Sequence, residues 1–163
     1  LAIRASEVLG LKALWVNKAG MNSIDFKRYN VGSIIRPADN FDALKQQIGF
    51  LVKVVDALDI KFSDCENDPL RLAKDYVDGR IPIDTCEAEA AVWWAKLDEK
   101  GAIRDFQDRG VLLARLAICL LSNDEDDVSV MGDNLSWFFE VLGFLKVDMT
   151  MPMRMMIEYF EFK

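Results

Sequence analysis

The pattern over 108–121 constrains this chain more than any other stretch. In DRGVLLARLAICLL, Leu112, Leu116, Cys119 and Leu120 give one helical face, and Val111, Leu113, Ala117, Ile118 and Leu121 cover most of the rest. A helix that is apolar nearly all round must be covered on several sides. The chain therefore has to supply enough further elements to surround it. The preceding stretch, 84–101, supplies the first. There Ala90, Trp93, Trp94 and Leu97 share a face, with Ala88, Ala91, Val92 and Ala95 on an adjacent face of smaller side chains. Asp84 with Glu87 three residues later resembles a capping box, with aspartate in the cap position. Gly101 ends that helix, and Asp105 or Asp108 starts the next. The result is an antiparallel helical hairpin. Its tryptophan pair reads as core filler, with a stacking or binding platform as the functional alternative. Arg115 interrupts the apolar helix. An unpaired buried charge is costly, so Glu87 or Glu89 on the neighbouring helix is its expected partner.

The remaining pattern is also helical. Asp39 or Asn40 caps a helix whose Phe41, Leu44, Ile48, Leu51, Val55 and Leu58 recur at intervals of three and four. Gly49 inside it lowers helix propensity, which a close helix crossing would explain. Asp68 and Pro69 open a further helix carrying Leu70, Ala73 and Val77, and Gly79 closes it. Residues 80–83 read as extended, because the residue before Pro82 is pushed out of the helical region. Asp133 or Asn134 starts a helix running to about Leu145, and Thr150 starts a last one through MPMRMMIEYFEF. That methionine-rich end reads as adaptable core, with an exposed apolar contact as the alternative. Residues 22–38 read as irregular, with Ile34 and Ile35 as a short extended piece. The fold class is all-α: residues 21–163 form a single helical domain, an irregular bundle of about six or seven helices.

The chain opens on Leu1, and MNSIDFKRY beginning at Met21 looks like a natural start. Residues 1–20 are expected to be a non-native or processed segment. Val8, Leu11, Leu14 and Trp15 give it a rough helical face.

Composition narrows the chemistry. There is no histidine, which removes Ser–His–Asp and Cys–His catalysis within the chain and the commonest metal ligand. The three cysteines, Cys65, Cys86 and Cys119, are scattered, with no CxxC pair; that argues against a disulfide framework and fits a reducing compartment. Cys119 reads as a small core residue, and the carboxylates flanking Cys65 disfavour a reactive thiolate. The isolated glycines form no phosphate cradle. No apolar run is long enough for a membrane span and no secretory signal is present, so the expected location is cytoplasmic, with no membrane partner.

Charge is unevenly distributed. The chain carries a formal −7. Residues 1–53 are net basic and the remainder strongly acidic, which disfavours nucleic acid and favours a basic protein partner. The densest acids follow the hairpin directly: Asp124, Glu125, Asp126 and Asp127, with Asp133 beyond them. These five are the expected partner-binding residues. The loop does not meet the calcium-loop pattern, since Val128 and Ser129 stand where a ligand and a glycine belong. No catalytic, cofactor or metal residue is assigned, and the chain reads as a non-enzyme.

Four pieces, YVDGRIP (76–82), EAEAAVWWAKLDEKG (87–101), DFQDRGVLLARLAICLL (105–121) and SNDEDD (122–127), together give a small acidic helical domain without a catalytic constellation. In overall character this resembles the immunity proteins of bacterial toxin–immunity systems, including contact-dependent growth inhibition. The resemblance implies a non-enzymatic cytoplasmic protein that binds a cognate toxin domain and occludes its active site or substrate path. A helical scaffold or adaptor, and a phage-type inhibitor of a nucleic-acid-binding host defence, are the alternative functions.

Overall fold

The computed structural model describes residues 29–63, 65–99, 101 and 105–163. The helix expected over residues 2–18 and the start at Met21 lie outside them. Six helices are present among the described residues: α1 Asn40–Ala57, α2 Pro69–Val77, α3 Ile83–Glu99, α4 Arg109–Leu121, α5 Met131–Phe144 and α6 Thr150–Tyr159. Two short strands, β1 Ile34–Ile35 and β2 Glu161–Phe162, pair antiparallel, with Ile34 opposite Phe162 and Ile35 opposite Glu161. The all-α expectation holds.

Local chemistry sets most boundaries. The side chain of Asp39 accepts from the Asp42 N–H (3.0 Å), that of Asp68 from Leu70 (3.0 Å) and that of Asp108 from Val111 (2.9 Å). Each thereby satisfies an orphan donor of a first turn. Gly79 closes α2 at φ 74°, a left-handed conformation that glycine adopts without a Cβ penalty. Two expected caps differ. α3 begins at Ile83, so Asp84 lies inside its first turn. α5 begins at Met131, because the short 3-10 turn Val128–Val130 runs straight into it, and Asp133 falls in its first turn rather than at its cap.

α4 is the centre. It packs on α3, α5, α2 and α1, and ten of its thirteen residues are buried. α1 contributes Leu44, Ile48, Leu51 and Val55 to the same contiguous core. Phe41, expected on that stripe, is 43% exposed: it lies on the first turn of α1, at the edge of the helix's cover. Gly49 has the anticipated close neighbour. A Cβ there would lie 3.0 Å from the Tyr159 hydroxyl of α6, and that hydroxyl donates to the Gln46 carbonyl at 2.8 Å. Of the methionines of α6, Met153 and Met156 are buried, Met155 is half-buried and Met151 is exposed.

Arg115 has surroundings other than those expected. Its guanidinium lies 4.9 Å from the Phe106 ring centroid and 5.7 Å from that of Trp137, a cation–π arrangement. Glu89 instead accepts from Asn67 Nδ2 at 3.2 Å, and Glu87 is exposed. The tryptophan pair splits as well. Trp93 is buried, whereas Trp94 is 45% exposed, because the covered face of α3 runs through Cys86, Ala90, Trp93 and Leu97 and Trp94 falls beside it.

Candidate functional site

The acidic loop starts where α4 runs out of donors for its last carbonyls. Asn123, buried, turns back and donates through Nδ2 to the carbonyls of Leu120 (3.2 Å) and Cys119 (3.4 Å). The chain is thus fixed at its exit from the core. Asp124 then folds the next residues locally: its Oδ1 accepts from the Asp126 N–H at 2.8 Å, an aspartate turn of the kind that short polar side chains form with their own backbone. Asp127 closes the loop by accepting from the N–H of Ser129 (3.0 Å) and from its hydroxyl. These two bonds, the hydroxyl's first, hold the Asp127 carboxyl below its ordinary range.

Glu125 behaves differently from its neighbours. It is half-buried, and its Oε1 accepts a 2.7 Å hydrogen bond from the hydroxyl of Tyr76 on α2. Burial, and then the Glu125 carboxylate, push the Tyr76 phenol well above its ordinary pKa. A protonated phenol donating to a carboxylate is a charge-assisted bond. It ties the loop to a buried residue of a helix 49 positions earlier in the chain.

The five predicted residues therefore separate into two roles. Asp124, Asp126, Asp127 and Asp133 present carboxylates to solvent, while Glu125 is an anchor. Tyr76 joins the loop to a surface not anticipated in the sequence. Its ring meets Phe41 edge-on at 6.2 Å. The Lys45 ammonium lies 4.2 Å from the Phe41 centroid and 5.8 Å from that of Tyr76. Phe41 looks like one more member of an apolar stripe, and nothing in its spacing distinguishes it. The available signal was its place in the first turn after the Asp39 cap, where a helix is least covered.

Among the described residues, no group of three or more Cys, Asp or Glu side chains is placed to hold a metal ion. No helix among them is long and apolar enough to cross a membrane. Comparison with protein-family models, with characterised proteins and with solved structures gives no match to this chain.

Proposed function

We propose that this chain is a non-enzymatic acidic binding protein that docks a basic protein partner, a toxin domain, and occludes its active site or substrate path. The 122–127 loop and the neighbouring Phe41 form the docking face. The observation that carries the reading is the Tyr76–Glu125 hydrogen bond. A loop of carboxylates in free motion would lose entropy on binding, whereas one held in place is preorganised. The exposed acids steer a basic partner, and an exposed aromatic ring beside them supplies the apolar anchor that charge alone does not.

The test is affinity purification from the native cell with the wild-type chain and with an Asp124→Asn/Asp126→Asn/Asp127→Asn variant, followed by association kinetics. The expected result is one basic protein retained by the wild type and lost by the variant, with an on-rate that falls as salt rises. Equal retention by the variant overturns the reading. The adaptor alternative gains support from the outer face of α3, where Val92 and Trp94 are each 45% exposed. A partner kept by the loop variant but lost on Trp94→Ala would select it.

A further inference from the structure

The outer side of α3 carries a seam. Asp84, Ala88, Ala91, Ala95 and Asp98 follow one another at steps of four, three, four and three, and all five are exposed. That spacing holds them on one line along the helix, the line on which two helices meet in a coiled coil. Val92 and Trp94, the exposed large apolar side chains of α3, border it. The covered face, through Cys86, Ala90, Trp93 and Leu97, lies on the other side of the helix. The seam is apolar from Ala88 to Ala95, a rise of about 10 Å, and closes on a carboxylate at each end, Asp84 and Asp98 being about 21 Å apart along the axis. An exposed apolar strip rimmed by polar groups marks an interaction surface.

The side chains of the seam select its occupant. Three alanines leave a shallow track that lets a second helix approach closely and seat larger aliphatic side chains. The charges select the sign. Glu87 and Glu99 add exposed carboxylates near the two ends, and the single base of α3, Lys96, is half-buried with its ammonium 4.2 Å from the Trp93 ring centroid. Asp98 and Glu99 stand on the last turn of α3, where the helix dipole is itself negative and a cation is favoured. A second copy of the chain does not fit: antiparallel pairing sets Asp84 against Asp98, and parallel pairing sets each aspartate against its own counterpart, with repulsion in both cases. We propose that this seam docks an amphipathic helix of another protein, with large aliphatic side chains at heptad spacing and a lysine or arginine at each end of the stripe, two heptads apart. The inference does not rest on the docking loop, since the seam uses none of the residues 122–127.

The experiment titrates a labelled synthetic peptide with the full chain and follows its fluorescence anisotropy. The probe is a helix-forming peptide of about 18 residues, enough for two heptads, with leucine at steps of three and four and a lysine closing the stripe at each end. A second peptide carries glutamate in place of each lysine. Saturable binding of the lysine peptide is expected, about tenfold tighter than that of the glutamate peptide, the worth of two exposed ion pairs. In the Asp84→Lys/Asp98→Lys variant the preference between the peptides inverts. Ala91→Arg, in the middle of the seam, abolishes binding of both. Ala88→Arg does the same, so that a folding failure of either variant leaves the other decisive. Absence of saturable binding of the lysine peptide overturns the proposal, as does a preference that the charge exchange leaves as it was. A loss of binding caused by Asp124→Asn/Asp126→Asn/Asp127→Asn would place the peptide on the acidic loop and overturn it too.

Discussion

α3 and α4 are two arms of one hairpin and are both rich in apolar residues, but they occupy opposite situations. α4 has ten of thirteen residues buried; α3 has four of seventeen. The difference does not come from apolar content alone, since Ala88, Ala91, Val92, Trp94 and Ala95 of α3 are all apolar and all exposed. It comes from neighbours. α4 is packed by four other helices, whereas α3 meets α4 and α2 on a single face. Hydrophobic stabilisation follows area removed from water, and an apolar side chain on an uncovered face contributes little. α3 is a peripheral arm with one working face, and α4 is the element around which the others condense.

The most direct way to break this comparison is Leu116→Ala in α4. Leu116 is fully buried, so truncation removes its transfer energy and leaves a cavity, at a cost of about 2–5 kcal/mol. Chemical denaturation of the variant measures it. A loss below about 1 kcal/mol would show that α4 is not the centre of the core.

A smaller effect tests the covered face of both arms through their cysteines. Both thiols are buried, Cys86 on α3 and Cys119 on α4. Burial pushes the Cys86 thiol up to about 11 and the Cys119 thiol up to about 12, from an ordinary value of 9.0. The unfolded chain releases each proton near the ordinary value, and the folded chain retains it. The stability from this source is therefore complete below about pH 9 and is lost as pH rises through the folded values. Denaturation between pH 9 and 11 is expected to show a declining stability whose slope is reduced by either Cys86→Ala or Cys119→Ala. An unchanged slope in both variants would show that burial holds neither thiol protonated.

The same contrast explains what was legible in the sequence. Features decided within one turn were readable: the caps at Asp39, Asp68 and Asp108, and the stop at Gly79. Each depends on bonds between residues two to four apart or on one residue's own backbone freedom. Gly49 was readable as a crossing, though not as a crossing with Tyr159. Features decided by which helix covers which face were not readable. Periodicity places Phe41 and Trp94 beside apolar stripes, but the edge of the cover is a tertiary fact, and both lie beyond it. Arg115 was matched with the nearest carboxylates in the hairpin, whereas its guanidinium lies by aromatic rings from the loop before α4 and from α5 and feels the charge of Asp105. At the candidate site, the acids themselves stand out in the chain. The division between exposed carboxylates and the Glu125 anchor depends on Tyr76, and no pattern links residues so far apart.

The smallest expected effect is at Trp94, and it sharpens the comparison most narrowly because Trp93 is its immediate neighbour. The two differ by one residue, about 100° of helical rotation. Trp93 meets Phe62 edge-on and is 5% exposed, and Trp94 is 45% exposed. Trp93→Ala removes a buried aromatic side chain and is expected to cost about 3–5 kcal/mol. Trp94→Ala is expected to change stability by no more than about 0.5 kcal/mol, since the side chain already meets water in the folded state. Paired denaturation curves of the two variants measure the difference. Comparable losses would mean that the outer face of α3 is covered in solution, and the peripheral arm would then have to be counted as part of an interface.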